Sequence, residues 1–255
     1  MPQPVLSVNA LRKNYGDLEA VRGISFDVAP GEVFALIGPN GAGKTTTLRM
    51  VATILRPTEG QISVAGVDAM HDPGRVRELI SYLPEEAGAY KNLTALAYLR
   101  FVAEIFFNDR ERIEQAIETG REVSGLGERI NDKLGSYSKG MTRKLLLART
   151  VMTEPQLAIL DEPTSGLDVI NALELRDRVK QLARAGMSVL LSSHNMLEIE
   201  FLSDRVAIIA GGQIHATGTP SQLKADFGAE NLEQVFAQIA EGRRMPAGAG
   251  SEAIR

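Results

Sequence analysis

Cysteine is absent from the chain, and the net charge is small. Without cysteine, disulfide bonds, thiolate metal sites and cysteine nucleophiles are excluded, and nothing ties the protein to an oxidising compartment. The 28 basic and 32 acidic side chains leave a formal net charge of −4 at pH 7. A nucleic-acid-binding protein usually carries a strongly basic patch, so this balance disfavours nucleic acid as a partner.

Long hydrophobic runs are also missing. No run of about 20 predominantly apolar residues occurs, so we expect no transmembrane helix. The most apolar stretch, residues 94–107, is interrupted by Arg100 and Glu104 and predicts a helix with a wide apolar face. We expect this helix mainly to pack in the core, with a few of its aromatic residues available to a partner. The N-terminal sequence MPQPVLSVNA lacks the features of a signal peptide, so we expect any membrane role to depend on a partner protein.

The composition that is present is that of a folded, soluble chain. Of the 255 residues, 44% are hydrophobic and 24% are charged, which excludes a disordered chain. The length fits one large domain, or one domain that carries a smaller insert. We predict one domain over residues 1–241 and a disordered tail over residues 242–255, where Gly and Ala dominate.

Short apolar runs alternate with helical patterns and predict an α/β fold. Four runs are typical of buried strands: VFALI (33–37), LAIL (157–160), VLLSS (189–193) and VAIIA (206–210). Such strands separated by helices indicate a parallel sheet. The N-terminal runs VLSV, ISFDV and QISVAG alternate in polarity and favour a separate antiparallel β subdomain. Residues 92–132 contain no candidate strand, and we predict a helical insert over about residues 92–150.

A phosphate-binding motif follows the first buried run directly. The string GPNGAGKTT, residues 38–46, matches G-x-x-x-x-G-K-[ST]. Glycines allow the backbone to turn its N–H groups towards a polyphosphate, and the next helix, expected over about residues 44–55, adds the positive end of its dipole. We expect Lys44 to neutralise the β- and γ-phosphates, Thr45 to bind Mg²⁺ and Thr46 to contact the α-phosphate. The expected nucleotide contacts in this loop are Gly38, Pro39, Asn40, Gly41, Ala42, Gly43, Lys44, Thr45 and Thr46.

Two adjacent carboxylates end the buried run LAIL. Asp161 and Glu162 are costly in that position unless something pairs with them. We expect Asp161 to hold Mg²⁺, and Glu162, which points the other way along an extended chain, to polarise an attacking water. The alternative is that the pair caps the next helix; the phosphate loop upstream favours the metal and the water. The core is thus predicted to be that of a P-loop NTPase.

Five further motifs surround these two. They are an aromatic residue, Tyr15, ahead of the phosphate loop and, after it, the strings SYLPEE (81–86), YSKGM (137–141), SGLD (165–168) and SSH (192–194). In this order they resemble the ATP-binding subunits of ABC transporters, over about residues 6–241. The resemblance implies that Tyr15 stacks on adenine and that His194 contacts the γ-phosphate and orients the water. In isolation, such a tyrosine or histidine is commonly a packed or structural residue; the order of the motifs favours the family roles.

The chain departs from the family pattern in two of these motifs. In YSKGM the resemblance implies that Ser138 and Gly140 donate hydrogen bonds to a γ-phosphate, but Lys139 replaces Gly and Met141 replaces Gln. Lys139 either adds positive charge near phosphate or faces solvent. In SYLPEE, Glu85 occupies the position of a Gln that senses Mg²⁺ and the water; it keeps an oxygen ligand for Mg²⁺ but loses the amide donor.

The resemblance implies an assembly as well as a chemistry. YSKGM occupies the place of the family's signature motif, which faces a nucleotide bound by the opposite subunit. The resemblance therefore implies that two ATPase chains pair head to tail around ATP and Mg²⁺. The pair is either a homodimer or a dimer with a related subunit. They power a separate polytopic permease, which places the chain in the cytoplasm, attached peripherally to the inner face of the cell membrane. SYLPEE, YSKGM and the later NLEQVF resemble the subgroup that exports drugs, sodium or polysaccharides through ABC-2 type permeases.

Three other functions remain as alternatives. A soluble ABC ATPase of translation or DNA repair usually has two cassettes or a long coiled-coil insert, and neither is found. A small-molecule P-loop kinase leaves SGLD, YSKGM and His194 unexplained. A regulatory module without turnover is disfavoured because Glu162, the candidate base, is present.

Overall fold

The computed structural model describes residues 3–242, so the predicted tail over residues 242–255 lies outside the described residues except for its first position. The described elements, in chain order, are β1 (Leu6–Tyr15), β2 (Leu18–Val28), β3 (Val33–Ile37), α1 (Lys44–Val51), β4 (Glu59–Val64), β5 (Val67–Asp68), α2 (Pro73–Leu79), β6 (Ile80–Leu83), α3 (Ala95–Phe106), α4 (Arg110–Ser124), α5 (Lys139–Val151), β7 (Leu157–Asp161), α6 (Val169–Arg184), β8 (Ser188–Ser193), α7 (Met196–Leu202), β9 (Arg205–Ala210), β10 (Gln213–Gly218), α8 (Pro220–Phe227) and α9 (Leu232–Ala240).

The central sheet has the strand order β10-β9-β3-β8-β7-β6. Its strands are parallel except for β10, which pairs with β9 in an antiparallel hairpin. The four apolar runs predicted from the sequence are β3, β7, β8 and β9, so the predicted parallel α/β core is confirmed. These strands are continuously apolar because both faces of the sheet are covered. In β3, for example, Ala35 packs into one hydrophobic core and Leu36 into the other.

A second, antiparallel sheet covers one face of the central sheet. Its order is β2-β1-β4-β5, and it contains the alternating N-terminal runs, as predicted. Alternation arises because only one side of this sheet is buried against the core. At the contact, the Phe26 ring of β2 stacks on the Phe34 ring of β3, with centroids 5.2 Å apart.

The helical region lies against the other face. It contains α3, α4, two short 3-10 turns over residues 127–131 and 134–136, and α5, in place of any strand. Thr94 caps α3 by accepting a hydrogen bond from the backbone of Ala97, and the buried residues Ala95, Leu99 and Ala103 follow the spacing of one helix face. No helix within residues 3–242 is long and apolar enough to cross a membrane.

The register of the central sheet brings three chain segments to one edge. Ile37 pairs with Ser193, and Asp161 pairs with Ser192. The phosphate loop, Glu162 and His194 therefore follow the carboxyl ends of three adjacent strands, which is where open parallel sheets bind ligands.

Two local predictions were wrong. The helix after the phosphate loop ends at Val51 rather than near residue 55, since Thr53 takes a positive φ of 57°. The chain is also not extended at Glu162, whose φ is 46°. This left-handed conformation is strained for a residue with a side chain.

Candidate nucleotide-binding site

Glycines shape the phosphate loop where other residues would not fit. A Cβ on Gly38 would lie 2.0 Å from the carbonyl oxygen of Ile209 in β9. Gly43 has a φ of 101°, and a Cβ there would lie 2.6 Å from the carbonyl oxygen of Ala20. Gly43 also precedes α1 without a side-chain cap on the helix, so the first N–H groups of α1 are open to an anion. The loop thus has the shape and dipole that a polyphosphate requires.

Lys44 lies across this loop in the position expected of a phosphate ligand. Its side chain is buried, and its ammonium group donates to the carbonyl oxygens of Gly38 (2.7 Å) and Pro39 (3.2 Å). The same nitrogen lies 3.5 Å from a carboxylate oxygen of Glu162. One cation therefore connects the phosphate loop to the candidate base.

Thr45 and Asp161 meet, as a shared metal site requires. The Thr45 hydroxyl donates to Asp161 Oδ1 at 3.0 Å, and the Ser192 hydroxyl donates to the same oxygen at 2.6 Å. The Tyr82 hydroxyl donates to Oδ2 at 3.1 Å. Burial, together with the Asp161 carboxylate, raises the pKa of Tyr82 to about 12, so the phenol keeps its proton at neutral pH. Three hydroxyls hold this buried carboxylate in one orientation.

Glu162 is buried and hydrogen-bonded to His194. Its Oε2 atom lies 2.8 Å from Nδ1 of His194 and accepts a hydrogen bond from the His194 backbone N–H at 3.3 Å. The carboxylate is 6% exposed and the imidazole 52% exposed. The helix cap on the following helix comes instead from Asp168, which accepts a hydrogen bond from the Asn171 backbone, so neither Asp161 nor Glu162 caps it.

A cavity of about 280 Å³ opens beside the phosphate loop. Tyr15, about half exposed, lies at the end of β1 and lines this cavity together with Glu85 and Glu162. The Glu85 carboxylate accepts a hydrogen bond from the Ser165 hydroxyl at 3.2 Å rather than contacting Asp161. The phosphate-loop residues that line the cavity are Asn40, Gly41, Ala42, Gly43, Lys44, Thr45 and Thr46.

Ser138 and Gly140 lie at the start of α5 and do not line this cavity. The Ser138 hydroxyl caps its own helix, accepting a hydrogen bond from the Met141 backbone. Gly140 packs against the next helix, since a Cβ there would lie 2.4 Å from the side chain of Asn171. The predicted signature residues are thus separate from the phosphate loop of the same chain.

Arg143 was missed from the sequence and is central to the site. Its buried guanidinium donates five hydrogen bonds to backbone carbonyls in two chain segments. The acceptors are Pro84 and Glu85 on one side and Asp161, Glu162 and Pro163 on the other. Only the rigid five-donor fork of arginine can bind so many oxygens at once.

Replacing Arg143 with lysine is expected to destabilise the protein by about 2 kcal/mol or more, since several buried carbonyls lose their donor. In a domain of this size that lowers the melting temperature by roughly 4–8 °C. The measurement is thermal unfolding followed by circular dichroism, with Arg121→Lys on exposed α4 as the matched control. Equal melting temperatures for the two variants would contradict the bracing role of Arg143.

Comparison with known sequences identifies the family. The family described as ABC transporter matches residues 21–165. The chain is 36% identical over 231 residues to the linearmycin resistance ATP-binding protein LnrL of Bacillus subtilis (strain 168). The matched region covers 91% of this chain and 74% of that protein. It is 37% identical over 235 residues to the daunorubicin/doxorubicin resistance ATP-binding protein DrrA of Streptomyces peucetius, covering 91% of this chain and 70% of that protein.

Solved structures agree with the sequence relatives. An ATP-binding subunit of an ABC transporter superposes with a TM-score of 0.82 at 29% identity, covering 92% of this chain and 99% of that chain. A dimeric ATP-binding cassette in a post-hydrolysis state, bound to ADP and phosphate, has the same fold, with a TM-score of 0.74 at 20% identity over 84% of this chain and 98% of that chain. This chain therefore belongs to the ABC transporter family, and it is an ATPase and the ATP-binding subunit of a transporter.

Proposed function

We propose that this chain hydrolyses ATP in a head-to-tail dimer and thereby powers a separate membrane permease that exports its substrate. One observation carries the proposal: Ser138 and Gly140 lie outside the cavity of their own phosphate loop. Their donors need a nucleotide held by another chain, and a two-fold pair supplies one to each. The dimeric cassette found with ADP and phosphate is a structural precedent for such a pair.

The buried Glu162 carboxylate acts as the general base in this proposal. It takes a proton from the attacking water, while His194 fixes its orientation through Oε2. Lys44, 3.5 Å from the other carboxylate oxygen, moves to the β- and γ-phosphates as ATP binds.

The residues present fit a magnesium ion. Thr45 and Asp161 offer a hydroxyl and a carboxylate already in contact, and these are the hard oxygen donors that Mg²⁺ prefers. Glu85 lines the same cavity and offers a further oxygen. Bound Mg²⁺ would neutralise charge on the phosphate oxygens. Ser192 and Tyr82 orient Asp161 for that role.

A surface groove supports the permease as a partner. The groove, of about 410 Å³, lies between β6 and α3. Phe101, Ile105 and Phe106 of α3 line it and remain 43–65% exposed, as is typical of an interaction surface. Tyr82 also lines the groove, and its hydroxyl donates to Asp161. Through Tyr82, a permease segment in this groove would be connected to the nucleotide site. Binding to the permease would also hold the chain at the inner face of the membrane.

Export is supported by the relatives, since LnrL is named for resistance to linearmycin and DrrA for resistance to daunorubicin and doxorubicin. The choice of substrate would lie in the permease. Homodimer and heterodimer are both compatible with one phosphate loop and one signature in each chain.

Serine in place of both Phe101 and Ile105 is expected to abolish co-purification with the permease, because two apolar contacts in the groove are removed. ATP binding should be unchanged, since neither residue lines the phosphate-loop cavity. The test is a tagged pull-down from detergent-solubilised membranes of cells that also express the chromosomal neighbours, with captured proteins identified by mass spectrometry.

The matched control is Phe201→Ser, which removes an exposed phenylalanine outside the groove. The control should retain a polytopic membrane protein and the double variant should lose it. Capture of ribosomal or DNA-repair components alone by the unmodified chain would overturn the permease reading and favour a soluble ABC ATPase.

A further inference from the structure

The two departures from the family pattern meet at one loop. The Glu85 carboxylate accepts a hydrogen bond from the hydroxyl of Ser165. The next residue, Gly166, lies beneath Lys139: a Cβ on Gly166 would be 2.0 Å from the Lys139 ammonium nitrogen. Glu85 and Lys139 are therefore in contact with consecutive residues of the loop Ser165–Asp168.

The contact with Lys139 depends on the shape of this loop. Gly166 has a φ of 66°, a conformation that glycine adopts readily because it has no Cβ. An ammonium group can approach such a backbone closely because no side chain intervenes. Lys139 is exposed, and it does not line the cavity beside the phosphate loop of its own chain.

Glu85, Lys139 and Ser165 line one cavity of about 380 Å³. Its wall is rigid, because Arg143 holds the carbonyl oxygens of Glu85 and Pro163 through a single buried guanidinium. The backbone just before the loop and the backbone of Glu85 are therefore fixed. The Ser165 hydroxyl and the two charged side chains are the parts that can rearrange.

We propose that Glu85 and Lys139 act as a coupled pair of positioning residues that clasp the loop Ser165–Asp168 at two consecutive positions, Ser165 and Gly166. The two side chains carry opposite charges and line the same cavity as Ser165, so each is expected to favour the position of the other. Because Glu85 is also our proposed metal ligand, its recruitment to the nucleotide would release Ser165 and free the loop and the signature helix together. This consequence rests on the proposed function, whereas the clasp itself belongs to the chain without nucleotide.

The test is a double-mutant cycle on the nucleotide-free protein, read by hydrogen exchange of the amides of residues 165–168. Lys139→Met keeps the aliphatic stem and removes the charge; Glu85→Gln keeps an oxygen that can accept from Ser165 and removes the charge. Each single variant is expected to raise exchange by roughly three- to fivefold, the scale of an exposed charge pair. The double variant should exchange no faster than the faster single variant.

Three controls separate a charge effect from a general loss of structure. Lys139→Arg keeps the positive charge and should protect the loop amides as well as the unmodified chain does, unlike Lys139→Met. The differences in exchange between the variants and the unmodified chain should vanish in about 1 M salt, where exposed charges are screened. Glu86→Gln removes a neighbouring acid that lines the same cavity without bonding to Ser165, and its effect should add to that of Lys139→Met. Additive effects for Glu85 and Lys139, or unchanged exchange, would overturn the clasp while leaving the ATPase proposal untouched.

Discussion

Replacing Glu162 with glutamine is expected to reduce ATP hydrolysis by about 100-fold or more, the usual scale for loss of a positioned general base. Binding should survive, because Lys44 and the pair Thr45–Asp161 are unchanged. The glutamine oxygen can still accept the hydrogen bond from the His194 backbone that Glu162 accepts now, so the site keeps its shape. A phosphate-release assay and a nucleotide-binding titration on the same preparation measure the two properties separately.

The same variant tests the assembly. ATP that is bound but not cleaved should hold two chains together across Ser138 and Gly140. The variant is then expected to elute as a dimer with ATP and Mg²⁺ and as a monomer without them, whereas the unmodified chain dimerises only transiently. Size-exclusion chromatography with and without nucleotide decides between these states.

The matched control is Glu122→Gln, which removes the same charge from the exposed surface of α4. It should hydrolyse ATP normally. Turnover at the normal rate by Glu162→Gln would show that Glu162 is not the base. Lost turnover without a trapped dimer would keep the base and argue against the head-to-tail pair, with Lys139 and Met141 as the first residues to examine.

The parts of the fold that the sequence predicts are those that depend on a short, continuous pattern of residues. A strand buried on both faces must be apolar throughout, so VFALI and LAIL predict strands of the central sheet. The phosphate loop is likewise predictable, because Gly38, Gly43 and Lys44 occur within seven residues and each is required by the local backbone or by the phosphate.

The contacts that complete the site are long-range, and no local pattern reports them. Arg143 reaches carbonyls up to 59 residues away, and an arginine on a helix is ordinarily a solvated residue. The Tyr82 hydroxyl reaches Asp161 across 79 residues because β6 pairs with β7. The one available signal was that Arg143 follows YSKGM by two residues and that the residues three and four positions further along, Leu146 and Leu147, are apolar.

Glu162 shows a different limit. Its candidate role follows from its place after a buried strand, but its left-handed φ of 46° does not. That conformation is set by the tertiary contacts of the residue: its N–H donates to the Ser192 hydroxyl at 3.1 Å, and Arg143 holds its carbonyl oxygen. Strain of this kind is commonly stored at functional sites, where the surrounding structure outweighs the local backbone preference.

Replacing Lys44 with alanine is expected to weaken ATP binding by roughly 10- to 150-fold, since a hydrogen bond to a charged group contributes about 1.5–3 kcal/mol. The ammonium group already lies inside the phosphate loop, buried between the carbonyl oxygens of Gly38 and Pro39. Phosphate oxygens are stronger acceptors than these carbonyls, so the lysine gains a better partner when ATP enters. Alanine can provide neither contact. Isothermal titration with a non-hydrolysable ATP analogue measures the loss.

The loss has to be distinguished from a failure to fold. Lys44→Ala also removes the cation beside Glu162, so its melting temperature is measured first without nucleotide. ATP should then raise that temperature in the unmodified chain and in Lys133→Ala, which removes an exposed lysine, because a ligand that binds only the folded state stabilises it. It should do so far less in Lys44→Ala. Near-normal affinity and phosphate release in a folded Lys44→Ala protein would remove the phosphate-loop assignment, and with it the basis for placing Thr45, Asp161 and Glu162 around a nucleotide.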